Sequence, residues 1–363
     1  MATDAVHWGG PGQPAPVISA TESWNGLGFS AYQAWANRRA QLTCFAETPF
    51  ICANGKRAAM AHIRTLPPRS FGADRMIAVA SELLDRLSPL LSSLPARAPV
   101  GLALCLPSRL AASSDSDVFT RHRGRIESAL VSRLQGRGGE TKLFSIPRGH
   151  ASGAYAIMEA GAALASHRIE AAVVGGVDTC YDPDMVDCLS VEGRMFDGEN
   201  LDSFVPGEGA SFFLMSRRET AVHCGWPSLA RIESVSTSTE HDTLRYDLPS
   251  AGVGLARAIR GISDRLAQEH RKVDWWITDM TNEEYRTHEF LLALPRASYD
   301  VTSEQTFVDY PHRHLGDLGA ATIPTAIAEA VEGFLRGDPA ARNCLIHATS
   351  TNEERGAVLL SAE

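Results

Sequence analysis

Residues 169–215 read IEAAVVGGVDTCYDPDMVDCLSVEGRMFDGENLDSFVPGEGASFFLM, and this stretch decides the fold. Residues 171–174 are apolar and run into two glycines and then a polar Asp-Thr pair, which predicts a buried strand that ends at a glycine turn. Further along, residues 204–210 (FVPGEGA) lead into a second apolar run over residues 211–215. The stretch therefore predicts two buried strands separated by a long polar segment.

Helices and strands alternate on both sides of this stretch. Residues 73–91 carry leucines and other apolar side chains at spacings of three and four, which predicts an amphipathic helix. Residues 99–106 are apolar throughout and predict a central strand, and residues 151–168 predict a helix of small side chains. After residue 215 the same order returns, with a strand over 273–279 and an Ala-rich helix over 319–336. This alternation predicts layers of helices around largely parallel sheets.

Composition and charge exclude several classes of function. The chain has 363 residues, 44% of them apolar, and a net charge of −9, and it lacks a basic block of five residues, so nucleic acids and anionic membranes are poor candidate partners. Its seven cysteines are scattered without a CxxC pair, which predicts neither disulfides nor a zinc site. Residues 207–209 (GEG) enter a strand rather than a helix, so they predict no phosphate loop. We therefore expect a cytoplasmic protein without cofactor, metal or membrane span.

The two strands and their motifs resemble the N-terminal half of the β-ketoacyl synthases of the thiolase-like superfamily. In that family a "GG-x-[DE]" strand end precedes a "D-G-F-V-x-G-E-G-A" strand entry, and residues 202–210 read DSFVPGEGA, with Ser203 where the family usually has Gly. The resemblance extends from about residue 17 to residue 360. It implies a thiolase-like five-layer α/β/α/β/α sandwich of two pseudo-repeats, residues 1–215 and 216–363, in one compact unit.

The same resemblance predicts the positions of the reactive residues. Ketosynthases place a nucleophilic Cys at the start of a buried helix, where the helix N-terminus stabilises the thiolate. Here His150 stands at that place, followed by an Ala-Ser-Gly that matches the family. Asp279 lies near the place of the first family His. His314 lies two residues from the place of the second, where ungapped alignment gives Gly316. His150, Asp279 and His314 are thus the candidate catalytic residues.

Three further residues are candidates for substrate binding by the same resemblance. Ser152 belongs to the matching Ala-Ser-Gly, Glu289 takes the place of the downstream family Glu with one residue of spacing lost, and Asn352 matches the final Asn of the last loop. The Gly-Phe-Gly-Gly that shapes the acyl pocket in the family is absent. All three positions that a decarboxylating condensation requires have changed together, which favours a different function.

Three functions remain open at this stage. The first is a non-condensing protein that binds an acyl chain, an acyl carrier protein or a partner synthase, as chain-length-factor subunits do. The second is an acyltransferase-class enzyme with a site built from His150, Asp279 and His314. The third is a structural scaffold subunit with a filled pocket. An open tunnel behind His150 would favour the first two. A homodimer or a heterodimer with a related synthase is expected, paired through the strand at residues 170–177.

Overall fold

The computed structural model describes residues 4–8, 14–108, 116–135, 139–243, 248–297 and 302–363. Strands in these ranges are β1 (Asp4–His7), β2 (Val17–Asn25), β3 (Phe45–Ile51), β4 (Arg57–Ala61), β5 (Val100–Cys105), β6 (Thr141–Ile146), β7 (Ala171–Thr179), β8 (Glu208–Ser216), β9 (Ala230–Thr239), β10 (Trp275–Ile277), β11 (Phe307–Asp309), β12 (Asn343–Thr349) and β13 (Glu354–Ala362). Helices are α1 (Ala31–Arg39), α2 (Gly72–Leu91), α3 (Ser116–Gln135), α4 (Ser152–Ala165), α5 (Pro183–Val191), α6 (Arg218–Cys224), α7 (Val253–Gln268), α8 (Glu284–Ala297), α9 (His312–Leu315) and α10 (Thr322–Arg336).

The large sheet consists of two half-sheets with the same strand order. The first runs β6-β5-β7-β8-β2 and the second β11-β10-β12-β13-β9. In each, the three strands at the outer end are parallel and the remaining two pairings are antiparallel. The half-sheets join where β2 and β9 pair at residues 17–18 and 230–231, and β1 pairs with a further part of β9. The repeated order and direction make the two halves structural repeats of one another.

Helices cover both half-sheets and also separate them. The central layer contains α4 and α10, which share one large apolar cluster with the inner faces of both half-sheets. On the outside, α2 and α3 pack against the first half-sheet, and α7 and α8 pack against the second. The stripe predicted for residues 73–91 is the buried face of α2, where Leu83, Leu84 and Leu87 are almost inaccessible. The predicted five-layer α/β/α/β/α sandwich is thus confirmed.

The central helices begin in matching ways. A 3-10 turn precedes each, Gly149–Ala151 before α4 and Gly319–Ala321 before α10, and both turns open with a glycine of positive φ, 64° and 51°. The helices meet at their first turns, where a Cβ atom on Gly153 would lie 2.6 Å from the side chain of Ile323. Since these two residues hold equivalent places in the repeats, the pseudo-two-fold axis passes between them.

Each repeat caps the central helix of the other. The amide of Ala320 donates to Oδ2 of Asp178, at the end of β7, over 2.8 Å. The amide of Ala151 donates to Oγ of Ser350, just after β12, over 3.0 Å. The starts of α4 and α10 therefore sit at the junction between the halves, and side chains near them face one shared space.

Two expectations about local structure differ from the molecule. The strand predicted at residues 170–177 to pair across a dimer is β7, which is flanked by β5 on one side and β8 on the other along its length. That expectation was wrong, because β7 is an interior strand, paired on both sides, and cannot pair with a strand of another subunit. Helix α5 was not predicted, although Asp182 accepts hydrogen bonds from Asp184 and Met185 as its N-cap and Pro183 opens its first turn. Among the described helices, none is long and apolar enough to cross a membrane.

Candidate functional site

His150 lies at the junction of the repeats, in the 3-10 turn that leads into α4. Its side chain is 12% exposed, and its Nε2 lies 2.5 Å from Oδ1 of Asp317, which comes from the loop before α10. Burial alone would raise the pKa of Asp317, but the adjacent His150 and Arg286 outweigh it and hold that pKa well below its ordinary value. Asp317 is therefore a carboxylate, and it orients the imidazole through Nε2.

Arg286, in the first turns of α8, fills the space beside this pair. Its Nη2 lies 3.1 Å from Nε2 of His150, and its Nη1 donates to Oδ2 of Asp279 over 2.9 Å. Its Nε donates to Glu283 over 3.2 Å. Burial alone would lower the pKa of Arg286, but Asp317, Asp279 and Glu283 outweigh it and raise that pKa further. The guanidinium is thus a fixed positive charge that occupies the centre of the site.

Asp279 is held by the second repeat rather than by His150. Its Oδ2 accepts from the amide of Thr349 over 2.6 Å as well as from Arg286. Oδ1 lies 3.6 Å from Nε2 of His347, whose Nδ1 accepts from the indole of Trp276. Burial lowers the pKa of His347, so this imidazole is neutral at pH 7. Arg286 therefore stands between His150 and Asp279, and the two predicted residues share a pocket without pairing directly.

The pocket beside His150 is small. It encloses about 30 Å³, and its walls include His150, Asp279, His312, Asp317, Thr325 and His347. A single water molecule needs roughly 10–15 Å³ of such space, whereas ligand pockets are usually about 300–1,000 Å³. Burial, reinforced by Arg313, lowers the pKa of His312 to about 4, so this wall residue is neutral as well. The pocket can hold one or two waters and has no room for an acyl chain.

The other predicted site residues lie outside these walls. His314, in α9, bonds through Nδ1 to the carbonyl of Leu42 over 2.9 Å and does not approach His150. Ser152 is fully buried and its hydroxyl donates to the carbonyl of Ile146 over 2.9 Å. Glu289 is fully buried and pairs with Arg355 at 2.7 Å. Asn352 contributes its carbonyl to the same Arg355 over 2.6 Å. None of the four reaches the pocket in this arrangement.

Two residues at the centre of the site were not predicted. Asp317 follows Gly316, the position to which ungapped alignment assigned the second family His, so a shift of one residue would have found it. Arg286 follows Glu283 at a helical spacing of three, and that pair alone indicates only local helix support. Within the described part of the chain, no group of His, Cys, Asp or Glu side chains is arranged to hold a metal ion.

Comparison with known proteins agrees with the fold described above. Residues 146–221 match the sequence family described as "Beta-ketoacyl synthase, N-terminal domain", a segment that contains α4, β7 and β8. No curated protein matches the chain by sequence. The ketosynthase from module 6 of the bacillaene synthase of Bacillus subtilis 168 superposes with a TM-score of 0.75 at 12% identity, covering 96% of this chain and 72% of that one.

Two further solved structures superpose over nearly their whole length. The complex of a type II polyketide synthase acyl-carrier protein, AntF, with its ketosynthase AntDE gives a TM-score of 0.75 at 14% identity, over 96% of this chain and 99% of that one. The ishigamide ketosynthase/chain length factor gives 0.68 at 16% identity, with coverages of 96% and 99%. At these identities the superpositions establish the fold, and the matched segment adds the sequence evidence. Residues 146–221 thus resemble the β-ketoacyl synthase N-terminal domain in sequence, and the described chain has the fold of the ketosynthases.

Proposed function

We propose that this protein is a non-condensing relative of the β-ketoacyl synthases that acts as a partner or scaffold subunit. One observation supports the proposal: a buried network of ion pairs and hydrogen bonds among His150, Asp317, Arg286 and Asp279 occupies the place that the resemblance assigns to the ketosynthase active site. In this proposal His150 replaces the nucleophilic Cys, and Asp279 and Asp317 lie near the places of the two family histidines.

Carboxylates at these places oppose the condensation reaction. The reaction needs a nucleophile together with two hydrogen-bond donors that stabilise the departing carboxylate and the enolate. Asp279 and Asp317 are surrounded by donors from the protein and act as acceptors. Negative charge at both places would repel a malonyl carboxylate. The imidazole of His150 is itself engaged with Asp317, so it is not presented to a thioester.

The small pocket distinguishes among the non-condensing roles. A volume of about 30 Å³ argues against an acyl chain or acyl thioester bound beside His150. It favours a subunit that binds its partner through its surface rather than an acyl chain in its interior. The partner would be an acyl carrier protein or a partner synthase. The AntDE:AntF structure contains an acyl-carrier protein with its ketosynthase, and the ishigamide structure contains a ketosynthase/chain length factor, which supports these two kinds of partner.

The partner surface follows from the sheet. Within the described residues β6 is paired on one side alone, by β5, so its other side is an open edge. Phe144 and Arg148 line a groove of about 560 Å³ next to it. A sheet edge of this kind can accept a strand from another chain. We assign the dimer contact, homodimeric or with a related synthase, to β6 in place of β7.

One observation favours a second function, an acyltransferase-class enzyme. His150 and Asp317 have the geometry of a base and its orienting carboxylate, so Asp317 rather than the predicted Asp279 would orient the imidazole. The alternative needs space for a substrate, which the pocket does not offer without movement of Arg286.

A turnover assay tests the proposal. The purified protein is incubated with acyl- and malonyl-loaded carrier protein, and condensation, decarboxylation and acyl transfer are followed by mass spectrometry of the carrier. We expect no product above the enzyme-free control. Condensation that disappears in His150→Ala would refute the proposal, and acyl transfer without condensation that disappears in His150→Ala would establish the second function instead.

A further inference from the structure

A second buried ionic cluster lies away from the pocket, between α1, β11 and α10. Nε of Arg38 donates to Oε1 of Glu329 over 2.7 Å, and its Nη1 donates to both carboxylate oxygens of Asp309 over 2.8 and 2.9 Å. These three residues, the α1 cluster, are 3%, 2% and 7% exposed. They attach α1 to the central helix and to the outermost strand of the second half-sheet.

The charges of the α1 cluster do not balance. One guanidinium faces two carboxyl groups, and an unpaired buried charge is costly enough that a group usually neutralises instead. Arg39 also lowers the pKa of Glu329, but it does not supply a second buried positive charge to the cluster. Arg39 pairs with Asp338 near the surface, while Trp275 and the buried thiol of Cys344 are neutral. The carboxyl of Glu22, on β2, is repelled by Glu332, which helps to raise its pKa. Glu22 is an acid, so it adds no positive charge.

Hydrogen bonding identifies the carboxyl that takes up the proton. Asp309 accepts from Arg38 twice, from the indole of Trp275 over 3.2 Å and from the amide of Tyr310 over 2.9 Å. Glu329 accepts from Arg38 through Oε1, and its Oε2 is buried without a hydrogen-bond partner among the described residues. Donors stabilise a carboxylate, so Asp309 is the ionised member and Glu329 the one that holds the proton.

We infer that Glu329 binds a proton at and below neutral pH, and that its release weakens the attachment of α1, so that the α1 cluster acts as a pH-dependent latch. Burial, only partly offset by Arg38 and reinforced by Asp309, raises the pKa of Glu329 to about 7. Above that pH two adjacent carboxylates compete for one guanidinium. The latch is separate from the proposed function, although Thr325, one helical turn before Glu329, lines the pocket.

The sign of the pH effect follows from proton linkage. The folded protein holds this proton more tightly than the unfolded chain, where a Glu carboxyl has its ordinary value of 4.5. Its contribution to stability is therefore lost as pH rises from that value to about 7, and it is constant beyond. Asp178, whose pKa burial raises to about 7, adds a similar slope from another part of the molecule.

Urea unfolding between pH 5 and pH 9 tests the inference with Glu329→Gln, which keeps the side-chain shape and cannot ionise. We expect the pH dependence of stability between pH 5 and 7 to fall by about one bound proton, while Glu284→Gln, at an exposed position of α8, should keep the wild-type profile. Asp309→Asn provides the second variant. It leaves one carboxyl for one guanidinium, so Glu329 ionises and the same slope disappears.

Hydrogen exchange measures the latch itself. Amides of α1 should be less protected at pH 8 than at pH 6 in the wild type, after correction for intrinsic exchange, and equally protected in Glu329→Gln. An unchanged slope in both Glu329→Gln and Asp309→Asn, or α1 protection that does not depend on pH in the wild type, would overturn the inference.

Discussion

His150 and Asp317 meet at 2.5 Å although they belong to different structural repeats. His150 precedes the central helix of the first half and Asp317 precedes that of the second, so the contact forms when the two halves dock. Arg286, from a third element, fills the remaining space beside the pair. Changes at these positions therefore test both the chemistry and the docking of the repeats.

Introducing a cysteine at position 150 should not produce condensation activity. His150→Cys supplies a thiol at the start of α4. Under the proposed function, however, Asp279 and Asp317 still present negative charge where condensation requires donors, and the pocket remains near 30 Å³. We expect no condensation product from loaded carrier protein in a mass-spectrometric assay. Folding of the variant is checked by its unfolding transition, and turnover by His150→Cys alone would contradict the assigned roles of the two carboxylates.

Removing the central guanidinium should destabilise the protein severely. In Arg286→Met the carboxylates of Asp279, Glu283 and Asp317 lose their shared counter-charge, and breaking a buried pair in this way costs about 3–5 kcal/mol. Arg133→Met is the matched control, because Arg133 pairs with Asp85 at the exposed surface of α3, where a pair contributes about 0–1 kcal/mol. Urea unfolding measures both, and equal losses would show that the cluster does not stabilise the fold.

Asp317 should control the acid end of the stability profile. Its pKa lies well below the ordinary value of about 3.9, so its contribution to stability is present above that pH and is lost as the pH falls through the folded pKa. Asp317→Asn should lower stability at pH 7 and flatten the pH dependence below pH 4, as followed by urea midpoints. Asp187→Asn, at an exposed position, should keep the wild-type pH dependence below pH 4. The same unchanged pH dependence in Asp317→Asn would exclude the ion pair between Asp317 and Arg286.

The contact between the central helices predicts a size limit at their crossing. Gly153→Ala would place a Cβ atom 2.6 Å from Ile323, and overpacking of this kind costs about 1–3 kcal/mol. Adding Ile323→Ala should recover part of that loss, measured as a coupling energy in a double-mutant cycle. Gly124→Ala in α3, where an added Cβ meets nothing within 4 Å, should stabilise instead by up to about 1 kcal/mol. If the stability losses of Gly153→Ala and Ile323→Ala were simply additive, the two residues would not be in contact at the helix crossing.

The open edge at β6 predicts the oligomeric state. We expect a dimer by light scattering at micromolar concentration, with roughly 2,000 Å² or more of surface buried, as in obligate dimers. Phe144→Asp places a charge beside the edge and should shift the protein toward monomer. Val222→Asp, at a side chain 75% exposed on α6, should not. A monomeric wild type would exclude a homodimer, and a dimer insensitive to Phe144→Asp would exclude β6 as its contact.

The sequence predicted the layers well because they rest on apolar periodicity, as in the stripe of α2 and the apolar run of β7. It was harder to predict which side chains of the loop before α10 point into the site. The short helix α9 turns His314 toward Leu42 and leaves Asp317 facing His150, and a rotation of this kind depends on backbone geometry over four residues. Arg286 could not be predicted for another reason. Its partners lie in the loop after β10, at the end of β12, in the loop before α10 and in the turn before α4, and they meet it only in the folded molecule.

Asp178 accepts a hydrogen bond from the amide before α10, and Ser350 accepts one from the amide before α4. Each repeat therefore supplies a hydrogen-bond acceptor that the central helix of the other requires. A chain cut between β8 and β9 would leave both central helices with an unmet donor at their first turn and an apolar face without its counterpart. We therefore expect the two repeats to fold together, and a chain with a single repeat to require association with a second copy.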